Sequence, residues 1–74
     1  MKTDAEWRDQ TKGLLKSELK RRNMTYDQLA EKLAAVGVHD TASNIKNKVS
    51  RGSFTAVFFI QCLEAIGASS VTLQ

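Results

Sequence analysis

Apolar residues recur at spacings of three and four over four stretches of this 74-residue chain, which is the repeat of one face of an α-helix. The stretches predict helices at about 4–22, 25–35, 41–51 and 53–66, followed by a short extended tail at 68–74. Gly37, Gly52 and Gly67 follow three of them, where a left-handed residue is expected to end each helix. The pattern therefore predicts an all-α fold of four or five helices, in one domain spanning residues 1–74.

The predicted core consists of the apolar positions that share one side of each helix. They are Trp7, Leu14, Leu15 and Leu19 in the first helix, Tyr26, Leu29, Ala30 and Leu33 in the second, and Ala42, Ile45 and Val49 in the third. We expect Thr25 to cap the second helix, because Gln28 three positions later completes a capping box. Asp40 or Thr41 is expected to cap the third helix, and Ser53 the fourth.

The fourth helix is the most apolar part of the chain. Its apolar residues are Phe54, Val57, Phe58, Phe59, Ile60, Leu63 and Ile66. A helix that is apolar nearly all round must be buried on nearly all sides, so we expect it at the centre of the bundle or against a partner. The tail at Val71–Leu73 favours an extended conformation, and either pairs with the tail of a second copy or frays. The region from Phe54 to Leu73 is therefore the predicted homodimer surface.

Charge and cysteine content narrow the classes of partner and compartment. A net charge of +3 favours anionic partners, and the single cysteine, Cys62, cannot form an internal disulfide. No apolar run approaches the roughly 18 residues of a membrane span. We therefore expect a soluble cytoplasmic protein, associated with the nucleoid if it binds DNA. Cys62 is expected to be a buried, inert thiol, with redox sensing as the alternative.

Positive charge is least neutralised in the segment 41–52, which contains three cations and no acid. If this segment is helical, its apolar stripe faces inward and amide, hydroxyl and guanidinium groups face outward. Such groups suit the base edges and phosphates of a DNA groove. The predicted base-reading residues are Ser43, Asn44 and Asn47, and the predicted phosphate-binding residues of the segment are Lys46, Lys48 and Arg51. The alternative is a polar face that is simply solvated.

Two stretches of the chain read Met-Thr-Tyr-Asp-Gln-Leu-Ala-Glu-Lys-Leu at 24–33 and Val-Ser-Arg-Gly at 49–52. This order of residues resembles the lambda-repressor-like, Xre-type helix-turn-helix family of bacterial and phage regulators, and the resemblance covers about 14–67. The connection at 35–41 is longer than the family's tight turn, and Ile45 lies four residues before Val49 where the family spacing is three. The rotation of the third helix is therefore left open by the sequence.

The resemblance implies a third helix that enters the major groove and helix starts that contact phosphate, here through Thr25, Tyr26 and Thr41. Packing against the first helix is the alternative for Tyr26. The resemblance further implies a homodimer that reads half-sites roughly 34 Å apart. Such a regulator acts by occupying an operator, with repression as the default, or by contacting RNA polymerase. A protein-interaction adaptor that uses the fourth helix and tail is the main alternative, and RNA binding is a third.

The remaining polar residues indicate no catalytic or metal site. His39 has no second His or Cys at ligand spacing, and no nucleophile can be paired with a base, so we expect no metal, cofactor or enzymatic activity. A second basic cluster contains Lys16, Lys20, Arg21 and Arg22. It either complements the dipole of the first helix or adds an anion-binding surface.

Overall fold

The computed structural model describes residues 1–73 and contains four α-helices in that range. They are α1 at Asp4–Arg21, α2 at Tyr26–Ala35, α3 at Ala42–Arg51 and α4 at Ala56–Ile66. Residues 68–73 form neither helix nor strand, and no strand occurs elsewhere in the described range. The prediction of an all-α fold is therefore confirmed. The last residue of the predicted tail, Gln74, lies outside the described residues.

A threonine caps the start of every helix. Each threonine hydroxyl accepts from the backbone N–H three residues later, at 3.0 to 3.2 Å, and the four caps are Thr3, Thr25, Thr41 and Thr55. In α2 the side chain of Gln28 also accepts from the Thr25 N–H at 2.9 Å, so the predicted capping box is confirmed. These bonds satisfy N–H groups that have no partner inside the helix.

The predicted cap of the fourth helix at Ser53 is wrong, because α4 starts two residues later with Thr55 as its cap. The preceding Phe54 packs against the first turn instead, with its ring centroid 5.7 Å from that of Phe58 and 5.9 Å from that of Phe59. An apolar pair that brackets the cap in this way is a hydrophobic staple. The spacing of Phe54 and Phe59 is therefore the signal that identifies Thr55.

The core takes two apolar residues from each helix, and the two always lie four positions apart. They are Leu15 and Leu19, Leu29 and Leu33, Ile45 and Val49, and Phe58 and Cys62, each at most 6% exposed. The helices α1 and α2 each pack against both α3 and α4. The helix α3 thus packs against both α1 and α2, and its inward face is marked by Ile45 and Val49, both fully buried.

The prediction that Trp7 anchors α1 in the core is wrong, because its side chain is 53% exposed. Leu15 marks the buried side of α1, and a residue eight positions earlier lies about 80° round the helix from it. Trp7 therefore falls on the flank of α1, where the Lys2 Nζ sits 4.6 Å from the centre of its ring. Leu14, displaced to the same flank, is only half-buried for the same reason.

The apolar α4 is not covered on all sides within one chain. Phe58 and Cys62 face the core, whereas Val57 and Ile60 are 65% and 62% exposed. The structure thus does not give α4 the fully enclosed, central position that is one of the two expectations. In the tail, Thr72 lines a cleft together with Gln10, Ser17 and Arg21 of α1, so the end of the described chain returns to its own first helix.

Gly52, which ends α3, generates a stability prediction. Its φ is +69°, and a Cβ built there would overlap the carbonyl oxygen of Arg8 on α1. We expect Gly52→Ala to destabilise the protein by more than the about 1–2 kcal/mol that a left-handed alanine alone costs, as measured by urea unfolding. Gly67→Ala is the matched control, because Gly67 has φ +78° and open space around its Cβ. Equal losses of stability in the two variants would contradict the close approach of α1 and α3.

Candidate nucleic-acid interface

The outward face of α3 is polar, cationic and free of acids. With Ile45 and Val49 turned inward, the exposed side chains are Ser43, Asn44, Lys46, Asn47, Lys48, Ser50 and Arg51. The helical phase predicted for these residues is the phase observed, despite the four-residue spacing of Ile45 and Val49. All three predicted base-reading residues and all three predicted cations of this helix are therefore at the surface.

The side chains on this face fall into two groups by what they bind within the chain. Within residues 1–73, no intramolecular hydrogen bond or ion pair engages the side chains of Ser43, Lys46, Asn47 and Arg51. Asn44 and Lys48 instead both contact the carboxylate of Asp40, in the loop before α3. The sequence pattern does not separate these two groups.

Asp40 uses both of its oxygens at the start of α3. Its Oδ1 accepts from the backbone N–H of Thr41 at 2.9 Å and from the Asn44 Nδ2 at 3.1 Å. Its Oδ2 lies 2.7 Å from the Lys48 Nζ. The cap itself is Thr41, whose hydroxyl accepts from the Asn44 N–H at 3.1 Å. Of the two caps that the sequence allows, Thr41 is the observed one, and Asp40 supports it.

The ammonium of Lys48 also lies 5.0 Å from the centre of the Phe58 ring on α4. The cation is thus held between a carboxylate and an aromatic face, and both groups attract a positive charge. The hydrogen bonds from Lys48 and Asn44 lower the pKa of the Asp40 carboxyl below its ordinary value. Lys48 therefore joins the loop before α3, α3 itself and α4.

The three residues predicted to contact phosphate at helix starts differ in the contacts that their side chains make within the chain. The hydroxyls of Thr25 and Thr41 accept capping bonds, which leaves each hydroxyl its own hydrogen to donate. Tyr26 is half-buried and packs against the core, and this burial raises the pKa of its phenol. Packing, the alternative given for Tyr26, is therefore observed.

The second basic cluster contains a charged partner that the sequence pattern does not identify. Glu18 is only 4% exposed, and its Oε1 lies 2.8 Å from the Arg22 Nη1, with Oε2 3.4 Å from the Arg21 Nη1. Arg22 Nη1 also donates to the Glu18 carbonyl at 3.1 Å. Two of the four cations thus neutralise a buried carboxylate at the end of α1, while Lys16 and Lys20 remain exposed. Glu18 shares the inward side of α1 with Leu15, which is the available signal.

Comparison with known protein families identifies the family of this chain. A family profile described as "Domain of unknown function (DUF6471)" matches residues 7–71, most of the chain. The chain belongs to the DUF6471 family. No curated protein and no solved structure matches it. In this DUF6471 domain the match spans α2, α3 and α4 completely, and α1 from Trp7 onward.

The other reactive side chains of the DUF6471 domain are isolated. Cys62 is fully buried, and this burial raises the pKa of its thiol to about 12, as expected of an inert cysteine. His39 is exposed in the loop before α3. Within residues 1–73, no three His, Cys, Asp or Glu side chains are grouped to hold a metal ion. None of the helices in that range is both long and apolar enough to cross a membrane.

The contact between Lys48 and Asp40 in the DUF6471 domain predicts a pH effect. Because the folded pKa of Asp40 is lowered, the ion pair stabilises the fold above the unfolded pKa of aspartate, and this stabilisation disappears as pH falls through the folded value. We expect Lys48→Met to raise the pKa of Asp40 toward its ordinary value, measured by carbon-detected NMR titration. Lys46→Met, two residues away, is the control and should leave this pKa unchanged. A response to both variants alike would show that general charge, not the contact, sets the pKa.

Proposed function

We propose that this protein is a small transcriptional regulator that binds double-stranded DNA sequence-specifically, with α3 in the major groove. The observation that carries the proposal is the outward face of α3, which presents amide, hydroxyl and cationic groups without an acid, while two fully buried residues fix the opposite face. A helix of this kind matches the donor and acceptor pattern of base edges and the charge of the backbone.

The arrangement of α2 and α3 supports a lambda-repressor-like helix-turn-helix as the finer description of the fold. The two helices are consecutive, pack against each other, and are joined by residues 36–41. In such a motif the second helix lies in the groove and the start of the first approaches the backbone. Thr25 and Thr41, whose hydroxyl hydrogens remain available, are then placed at the helix starts that approach phosphate.

Asn47 is the principal base-reading residue in this proposal. It lies near the centre of the outward face, and its amide can pair with N6 and N7 of adenine for about 1–3 kcal/mol of discrimination. Ser43, one turn earlier, adds a hydroxyl that donates or accepts. Lys46 and Arg51 flank the face and bind phosphates, which fixes the register without reading sequence.

A homodimer fits the exposed apolar residues of α4. Val57 and Ile60 lie three residues apart on one side of that helix and are mostly exposed. A second copy that covers them would place two reading helices on half-sites about one DNA turn apart, and would repress by occupying an operator on the nucleoid. The same residues favour the second candidate, an adaptor that binds another protein through α4, RNA polymerase included.

Two variants of α3 test DNA reading against a random duplex pool from which bound sequences are selected. We expect Asn47→Ala to relax the preference for adenine at one position, because the variant cannot form the paired amide hydrogen bonds. Lys46→Ala is expected to leave the selected sequence intact and to weaken binding to all duplexes. It should also flatten the salt slope by about 0.9, because one phosphate is no longer neutralised. Lys2→Ala, which removes the same charge outside α3, is the control.

The outcome separates the two candidates. An adaptor shows no salt-sensitive association with random duplexes and enriches no sequence. If wild-type protein binds DNA but both α3 variants behave like Lys2→Ala, then α3 is not the reading helix.

The α4 surface gives a prediction about assembly. We expect Ile60→Glu to convert a dimer to a monomer in sedimentation equilibrium, because a charge cannot be buried unpaired in an apolar interface. Val36→Ser is the control, since Val36 is also exposed, at 48%, but lies at the end of α2. A monomeric wild-type protein at concentrations that saturate DNA would contradict the proposed dimer.

A further inference from the structure

Asp40 accepts a hydrogen bond from the backbone N–H of the residue that caps α3. In α1 and α2 the corresponding N–H has a different kind of acceptor. In α1 and α2 the cap N–H is accepted by the side chain three positions on, Glu6 and Gln28 respectively. The corresponding residue of α3 is Asn44, and its amide nitrogen donates to Asp40 instead. The Oδ1 atom of Asp40 thus accepts from both the Thr41 N–H and the Asn44 amide.

The same carboxylate holds Lys48 across eight residues of sequence. The 2.7 Å contact joins two full charges, the strongest class of side-chain hydrogen bond. The Asp40 side chain is only 15% exposed, whereas Lys48 is 45% exposed and rests on the Phe58 ring. The ammonium of Lys48 is therefore already paired with the Asp40 carboxylate when another anion approaches.

A DNA phosphate would have to compete with Asp40 for the same donors. The carboxylate is intramolecular, so its contact is made without the loss of translational freedom that a bound phosphate requires. Its negative charge also opposes a phosphate at close range. Lys48 and Asn44 therefore differ from Lys46 and Asn47, whose side chains contact no acid on the described chain.

We propose that Asp40 is a positioning residue that keeps Lys48 and Asn44 out of contact with DNA, so that phosphate binding falls to Lys46 and Arg51 and base reading to Ser43 and Asn47. This inference rests on the proposed DNA binding and narrows the set of residues that the sequence indicates. Each phosphate contact strengthens binding to every sequence alike. Because Asp40 keeps one cation from binding phosphate, it lowers the affinity for non-specific DNA. Contacts to bases then contribute a larger share of the total binding free energy.

The test compares wild-type protein with Lys48→Met, Asp40→Asn and the double variant. Association with a fluorescein-labelled random duplex is measured over a range of salt concentrations, and folding is checked by circular dichroism. Asparagine keeps an oxygen for the Thr41 N–H, and methionine keeps an apolar stem over Phe58. We expect equal salt slopes for wild type and Lys48→Met, a slope steeper by about 0.9 for Asp40→Asn, and a return to the wild-type slope in the double variant.

The charge-matched control is Glu31→Gln, which removes a carboxylate from the exposed side of α2. Glu31→Gln should strengthen binding because it raises the net positive charge. Adding Lys48→Met to it should leave the salt slope unchanged. A slope flattened by Lys48→Met in the wild-type background would overturn the role of Asp40, and so would an unchanged slope in Asp40→Asn. If Asp40→Asn fails to fold, Asp40→Ser, which also keeps an oxygen for the Thr41 N–H, takes its place in the comparison. Absence of salt-sensitive binding by wild type would instead refute the proposed function itself.

Discussion

The burial of Ile45 and Val49 is the constraint on which the rest of the molecule depends. Two fully buried residues four positions apart allow α3 only one rotation about its axis, and α3 packs against both α1 and α2. Every other side chain of α3 is assigned by default to the flank or the outward face. The close approach of Gly52 to the Arg8 carbonyl then fixes where α3 ends against α1. Any chemistry on the surface of α3 is therefore presented by a helix that cannot turn.

Each of the four helices buries two apolar residues that lie four positions apart, and this regularity explains why much of the fold could be predicted from the sequence. Pairs such as Leu29 and Leu33 are visible as periodicity, and threonines followed by a suitable third residue are visible as caps, so the helices and most of the core were predictable. The prediction of Ser53 as a cap was wrong because serine and threonine are both good caps, and only the staple formed by Phe54 and Phe59 distinguishes them. The prediction that Trp7 lies in the core was wrong because the sequence alone does not distinguish an apolar residue on the flank of a helix from one on its buried face.

The candidate site was predictable as a surface but not as a set of contacts. Helical phase is local, and it placed Asn47 and Lys46 on the outward face. The pairing of Lys48 with Asp40 spans eight residues, and depends on how the loop before α3 folds back. The Glu18 pairs at the end of α1 are local by contrast, and the position of Glu18 three residues after the inward-facing Leu15 is the pattern that indicates its burial. Charge counts alone therefore overstate how many cations of a basic helix are available to a ligand.

Under the proposed DNA binding, the position of Asp40 outside α3 reconciles two requirements that conflict within the helix. A helix N-terminus favours a nearby anion and an acceptor for its unpaired N–H groups, whereas a helix that enters a DNA groove is weakened by an acid on its exposed face. Placing the carboxylate in the preceding loop meets the first requirement while the helix itself stays free of acids. The consequence is that the carboxylate also reaches Lys48, one turn from the end of the helix. The Asp40 side chain thus stabilises the start of α3 and at the same time makes Lys48 less available to a ligand.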